Sequence, residues 1–174
     1  SEPSIRNSGT GVPNAPTGYT TVVDGSNHKI FGRIVTGVES DPTVTFTGGV
    51  ANADTLAQTC AFRRLGLTGG TSVTQLNTSQ TGIPTPAFTP DEDRMTVFRG
   101  LWKQDDWTTV SAGPVGFSAI MGNGTISTLG DDAAQSWSYW IQSTSSSIAA
   151  SAALVTGGGA AISRSMLWSL PHSD

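Results

Sequence analysis

The sequence predicts an all-β domain, an antiparallel β-sandwich or jelly roll of about eight to ten strands. Three observations support this fold class. Apolar and polar residues alternate with period two in several segments, as they do in strands with one buried face. Turns rich in glycine separate these segments, and no long segment has helical periodicity with caps. The length of 174 residues suits a single core of ordinary size.

The alternation places the strands along the chain. In chain order the predicted strands are 19–23, 28–36, 43–47, 56–62, 72–76, 94–102, 136–142, 147–155 and 161–170. Segment 28–36 is apolar on both faces, which is typical of a strand covered on both sides. A single helical turn is expected at 131–136, and the proline-rich stretch 81–92 is expected to cross between the sheets. We expect residues 1–12 to form a polar N-terminal arm and residues 13–174 to form one sandwich domain.

The charge content restricts the partners. Charged residues make up 13% of the chain and the net charge is −4, with lysine only at Lys29 and Lys103. No basic stripe exists, so we expect neither nucleic acid nor an anionic membrane as a partner. Cys60 is the only cysteine, which excludes an intrachain disulfide and a zinc site built on several cysteines. We expect Cys60 to be a small buried residue of a strand.

No group of residues has the pattern of a catalytic or metal site. His28 and His172 are the only histidines, and no G-x-S-x-G turn is present. The acidic clusters at 91–93, 105–106 and 131–132 could hold Ca²⁺, but none has the spacing of a calcium loop. The interiors of the predicted strands contain no acid, so a pair of facing glycosidase carboxylates would have to come from loops. We therefore predict no catalytic residue, cofactor or metal, and no enzymatic activity.

Aromatic and arginine side chains are the candidate contact residues. The chain has five tryptophans, most of which we expect in the core, but Trp107 and Trp140 could lie at a subunit interface or stack on a glycan. Arg63 and Arg99 fall on predicted strand faces that are otherwise apolar or small. We expect these two arginines to pair with acids or to cross an interface.

The order of four segments carries a resemblance to a known group of proteins. These segments are A-P-T-G-Y-T at 15–20, V-T-F-T-G-G at 44–49, A-Q-T-C-A-F-R at 57–63 and the proline- and threonine-rich crossover at 81–89. Together they resemble the β-sandwich domains of tailed-bacteriophage virion structural proteins, such as capsid decoration (cement) proteins. The resemblance extends from about residue 13 to residue 170. It implies a homo-oligomer, for instance a trimer, on the capsid surface that contacts the major capsid protein and stabilises capsid subunits.

One departure from that pattern affects the expected architecture. Domains of this kind begin with an apolar strand, whereas residues 1–12 here are polar. We expect the sandwich to be open at this edge, because the strand is either missing from the sequence or supplied by a neighbouring subunit. The alternative function is a tail-fibre or adhesin module that binds glycans through an exposed tryptophan. An enzyme such as a polysaccharide hydrolase is the least favoured reading.

Overall fold

The computed structural model describes residues 2–7, 11–25, 28–37, 41–49, 55–63, 65–68, 70–80, 82–111, 113–118, 122–126 and 133–172. Strands and loops account for all of these ranges, so the prediction of an all-β sandwich is confirmed. No helix long and apolar enough to cross a membrane occurs in them. The strands are β1 Glu2–Asn7, β2 Val12–Pro13, β3 Thr20–Asp24, β4 His28–Gly32, β5 Phe46–Thr47, β6 Thr55–Cys60, β7 Ser72–Gln80, β8 Ile83–Thr85, β9 Met95–Lys103, β10 Thr109–Val110, β11 Gly122–Ile126, β12 Ala133–Gln142, β13 Ser151–Ala153, β14 Val155–Thr156 and β15 Ala161–Pro171.

Two antiparallel sheets form the sandwich. The four-stranded sheet has the order β3-β4-β1-β6, and the five-stranded sheet has the order β11-β12-β9-β15-β7. Strand β9 lies at the centre of the larger sheet, where it pairs with β12 on one side and with β15 on the other. All three strands coincide with segments that the sequence predicted, at 94–102, 136–142 and 161–170.

The main core lies between the two sheets. It contains Val23 and Ile30 from the four-stranded sheet, with Phe98, Trp137 and Trp168 from the larger one. The rings of Phe98 and Trp168 stack at 5.1 Å, and Trp137 meets Trp168 edge-on at 5.2 Å. Aromatic pairs at such distances add stability beyond the area that they bury.

A cover layer packs on the opposite face of the five-stranded sheet. It consists of the antiparallel pairs β8–β13 and β10–β14 and the loops that join them. Leu101 and Ala134, which point away from the main core, pack there against Ile83, Trp107 and Ala153. The cover layer explains why β9 is buried at all nine of its positions.

The N-terminal segment differs from the expected polar arm. Residues Glu2–Asn7 form β1, which pairs with β4 on one side and with β6 on the other. The strand therefore lies inside the four-stranded sheet, at the place where an open edge was expected. A strand hydrogen-bonded on both sides is stabilised by its backbone groups, and these carry no signal in a side-chain pattern. A side-chain pattern therefore gave no sign that residues 2–7 would form a strand between β4 and β6.

Several other boundaries also shift. Strand β4 ends at Gly32, and Ile34 and Val35 beyond it are 63% and 50% exposed, so the predicted strand 28–36 was too long. The predicted strand 43–47 shrinks to β5, and 147–155 contains only β13 and the first residue of β14. The helical turn at 131–136 is contradicted from Ala133 onward, where β12 begins, while Asp131 and Asp132 lie outside the described residues.

Candidate interaction surface

Trp107 lies in the cover layer and not at the surface. Its side chain is 4% exposed and packs with Ile83, Leu101 and Val110. Three further tryptophans are buried as well, at exposures of 3% or less: Trp102, Trp137 and Trp168. Four of the five tryptophans thus stabilise the interior, and Trp107 is not placed where a glycan or a partner could reach its ring.

Trp140 is half-buried at the end of β12, and a turn covers it. The ring of Phe117 lies 6.0 Å from the indole. Gly116 has φ +106°, and a Cβ atom added there would lie 2.5 Å from Cε2 of Trp140. The backbone of Gly116 therefore rests directly on the indole, and this contact removes area that a sugar ring would need for stacking.

The two candidate arginines have opposite environments. Arg63 is exposed and lies in a bend after β6, not on a strand as expected. Arg99 lies in the middle of β9 and is 1% exposed. Its Nη1 donates a hydrogen bond to the Ser111 carbonyl at 3.2 Å, whereas its Nε and Nη2 have no hydrogen-bond partner. Burial lowers the pKa of Arg99 to about 10, because a low-dielectric site disfavours the charged form.

The acidic loop residues accept hydrogen bonds from neighbouring segments of the chain. Asp91 accepts a hydrogen bond from the Thr71 hydroxyl at 2.7 Å, and Asp93 accepts one from the Ser145 amide at 2.6 Å. Asp105 lies 3.6 Å from the Lys103 ammonium and also accepts the amide of Gly159. Within the described part of the chain, no three His, Cys, Asp or Glu side chains gather as metal ligands would.

The two histidines have different surroundings. His28 is 1% exposed at the start of β4, where its ring meets Trp102 edge-on. His172 shares a hydrogen bond of 2.8 Å with the buried Thr96 hydroxyl. It lines an open pocket of about 200 Å³ together with Arg94 and Ile141. His172 thereby fastens the chain after β15 to the start of β9.

Large aliphatic side chains remain exposed at several separate places. Their exposed fractions run from 43% to 97%, for Ile34, Val35, Leu76, Val115, Ile141, Leu154 and Ile162. Val115 forms the tip of the turn that covers Trp140. Leu154 lies between β13 and β14, and its amide donates a hydrogen bond to the Ser111 hydroxyl at 3.1 Å. Side chains of this kind gain free energy when a partner removes them from water.

Strand β7 is a further exposed feature. Among the described strands it is the last of the five-stranded sheet, and β15 is the neighbour with which it pairs. Its sequence, S-V-T-Q-L-N-T-S-Q, contains no charged residue and no proline. Natural edge strands usually carry such residues, because they prevent pairing with another chain.

These surface features were not identified from the sequence. The segment 72–76 predicts only the first half of β7, since polar residues follow Leu76 on both faces. Val115 and Leu154 lie in short irregular segments, where periodicity gives no signal. The one usable signal for β7 was the absence of charge over nine residues of strand-forming composition.

The chain was compared with protein-family models, with curated proteins and with solved structures. No match was found in any of the three comparisons.

Proposed function

We propose that this protein is a non-enzymatic structural component of a virion, of the kind that decorates the capsid of a tailed bacteriophage and stabilises contacts between capsid subunits. The observation that carries the proposal is the exposure of large aliphatic side chains in a chain of low charge content. The most exposed of them are Val115 at 97% and Leu154 at 74%. The resemblance of segments 15–20, 44–49 and 57–63 to phage β-sandwich domains supports the same function.

In such a shell the protein would bind neighbouring subunits and hold them together. Exposed aliphatic groups favour association through the hydrophobic effect, at about 25 cal/mol for each Å² of apolar area removed from water. Charges on a contact surface must lose their hydration on binding, and a chain with 13% charged residues carries little of that cost. The hydroxyl groups that replace the charges can hydrogen-bond to a partner or to interfacial water.

The cover layer supplies a rigid base for this contact. Leu154 follows the buried Ala153 of β13, and Ser111 follows Val110 of β10. The Ser111 amide donates to the Leu154 carbonyl at 2.9 Å, which fixes the two segments side by side. An anchor held in this way loses little conformational freedom when it binds.

Co-sedimentation tests the proposal. The purified chain is mixed with tail-less capsids of the virus that encodes it, and we expect it to sediment with them. The double variant Val115→Asp, Leu154→Asp places two carboxylates where the aliphatic groups were, and we expect it to stay in the supernatant. The double variant Thr20→Asp, Thr68→Asp is the matched control, because both threonines are exposed on other elements and their replacement adds the same two charges.

Two outcomes would contradict the proposal. One is a wild-type chain that does not sediment with capsids. The other is specific binding to a glycan array that is lost in Trp140→Ala, because this result would indicate an adhesin. A folded state must be confirmed for every variant by near-ultraviolet circular dichroism.

A further inference from the structure

We propose that Arg99 forms a binding site for a carboxylate ligand, and that the turn 113–117 closes this site until the ligand enters. The inference goes beyond the proposed function, because it concerns a small molecule and not a capsid. It rests on the hydrogen bonds of one buried guanidinium and on the way in which the turn covers it.

The first argument is the set of hydrogen-bond donors that Arg99 leaves unused. Its Nη1 donates to the Ser111 carbonyl at 3.2 Å, whereas its Nε and Nη2 are buried and have no partner. In a guanidinium, the Nε–H and one N–H of Nη2 point the same way and form a fork that matches the two oxygens of a carboxylate. The part of Arg99 that lacks a partner is therefore the part that binds carboxylates through two parallel hydrogen bonds.

The second argument is the charge of the site. Burial lowers the pKa of Arg99 to about 10, so the guanidinium keeps its proton at neutral pH. Among the described residues no carboxylate contacts it, and a ligand with one negative charge would supply the counter-ion. A phosphate group carries about 1.5 to 2 negative charges at pH 7, so it would bring an excess of buried charge. The single cation therefore favours a carboxylate over a phosphate.

The surroundings of the guanidinium indicate that the ligand also has an apolar part. Leu167 lies opposite Arg99 in the register of β9 and β15, and it belongs to a buried cluster against which Phe117 and Trp140 pack. A Cβ atom added to Gly113 would lie 2.8 Å from Nη1 of Arg99 and 3.2 Å from Cγ of Phe117, so these two side chains are close together. An aromatic carboxylate such as benzoate can place its oxygens on the fork and its ring against the apolar side chains.

The turn 113–117 covers Arg99 in the unliganded chain. Arg99 is 1% exposed, so a ligand reaches the fork when the turn lifts. Two glycines of the turn have positive φ, at +141° and +106°, and glycine changes its backbone angles at low steric cost. Val115 at the tip is 97% exposed, so its side chain holds the turn down only weakly. Lifting also returns water to the guanidinium, which offsets part of the packing lost at Trp140.

Thermal unfolding of the purified full-length chain tests the site. The chain is placed in chloride buffer, and sodium benzoate, sodium acetate or sodium phosphate is added at constant ionic strength. We expect benzoate to raise the unfolding midpoint as its concentration rises, because a ligand that binds only the folded chain stabilises it. Acetate has the same carboxylate without the ring, so we expect a smaller rise, and we expect phosphate to give the smallest.

Substitutions of Arg99 test the fork. We expect Arg99→Met to lose the benzoate shift. Arg99→Lys keeps the charge but cannot form two parallel hydrogen bonds, so we expect its dissociation constant for benzoate to rise by about tenfold or more. Arg63→Met is the matched control, because Arg63 is exposed after β6, and we expect it to keep the full shift.

A substitution in the turn tests the closure. A Cβ atom on Gly116 would lie 2.5 Å from Cε2 of Trp140, so Gly116→Ala disfavours the closed turn. A ligand that binds the open form gains affinity when more of the chain is open, and we expect the dissociation constant for benzoate to fall by about fivefold or more. Isothermal titration calorimetry measures the constant. This variant keeps Arg99, so the inference stays testable even if Arg99→Met does not fold.

The opposing results are distinct. The site would be overturned if benzoate left the midpoint of the wild type unchanged, or raised that of Arg99→Met equally. A phosphate shift as large as the benzoate shift would overturn the assignment of the ligand as a carboxylate. A constant that Gly116→Ala leaves unchanged or raises would overturn the closure by the turn. Since none of these experiments contains a capsid, failure of the site leaves the proposed function standing.

Discussion

Among the residues that the structure describes, Arg99 is a buried cation that no carboxylate contacts. Arg99 is 1% exposed, makes one hydrogen bond, and has its pKa lowered from 12.5 to about 10 by burial. A shift of that size corresponds to a cost of about 3 kcal/mol for keeping the guanidinium charged in the fold. We therefore expect Arg99→Met to unfold, in urea, with a free energy equal to or greater than that of the wild type at neutral pH.

The pH dependence follows from the direction of this shift. Below about pH 10 both the folded and the unfolded chain hold the Arg99 proton, so the cost is present in full. Above that pH the folded chain loses the proton first, and its stability rises relative to Arg99→Met. The titration of all other groups contributes equally to the two proteins, so it cancels when the unfolding free energy of Arg99→Met is subtracted from that of the wild type at each pH. A loss of more than about 3 kcal/mol in Arg99→Met at neutral pH would show instead that an anion neutralises the guanidinium.

Lys103 is a second buried cation, but this one has a counter-ion. Its side chain has no exposure, and its Nζ lies 3.6 Å from Oδ2 of Asp105. The same carboxylate accepts the amides of Gly159 and Asp106, so it holds the loop before β15 against the end of β9. We expect Asp105→Ala to lower the free energy of unfolding by about 3–5 kcal/mol, because it leaves the ammonium uncompensated.

A double-mutant cycle separates the charge from the loop contacts. Lys103→Met removes the ammonium and keeps most of the side-chain volume. If the ion pair dominates, Asp105→Ala costs much less in the Lys103→Met background than in the wild type. Equal costs in the two backgrounds would assign the effect to the backbone amides alone. Chemical denaturation of the four proteins measures the cycle.

Among the elements, the turn over Trp140 depends on one glycine. Gly116 has φ +106°, and an added Cβ would lie 2.5–2.8 Å from three atoms of the indole. Gly116→Ala must therefore strain the backbone or lift the turn, and we expect it to cost about 1–3 kcal/mol. Gly37→Ala is the control, because a Cβ there meets nothing within 4 Å. Thermal unfolding measures both variants, and equal midpoints would contradict the contact.

The element scale also shows which parts of the fold were accessible to sequence reasoning. Strands β9, β12 and β15 were predicted because apolar residues recur at every second position along a face that meets an apolar core. Strands β1 and β8 were missed because the first is polar and the second contains Pro84. Their backbone ladders hold them in place, and a ladder leaves no mark on side-chain hydrophobicity.

For the candidate site, the composition of the sequence predicted how many tryptophans are buried, but the sequence did not predict which ones are exposed. The sequence indicated that most tryptophans fill the core, yet it selected Trp107, whose exposure of 4% depends on the cover layer. That layer is built from strands of two or three residues, too short to show a period. Arg99 was recognised as anomalous because it interrupts an apolar strand. That it is buried could not be predicted, because this depends on the cover layer that packs on the outer face of the sheet.

For the whole molecule, the three-layer arrangement predicts unequal local stability. Strands β9, β12 and β15 have nine to eleven residues and a neighbour on each side, whereas β8, β10, β13 and β14 have two or three residues and one partner. Short ladders open at lower free energy, because few hydrogen bonds and little apolar area resist the opening. We expect amide hydrogens of the cover layer to exchange well before those of the central strands.

Two variants distinguish local opening from global unfolding in the same exchange experiment. Val110→Ala removes two methyl groups from the cover layer, so we expect it to speed exchange in β8, β10, β13 and β14 and to leave the central strands nearly unchanged. Met166→Ala removes a side chain with no exposure from the main core, so we expect it to speed exchange in both layers. Since the cover layer packs on the outer face of the sheet, it can open while the sandwich stays closed. If both variants speed exchange in every strand alike, the cover layer and the sandwich unfold as one cooperative unit.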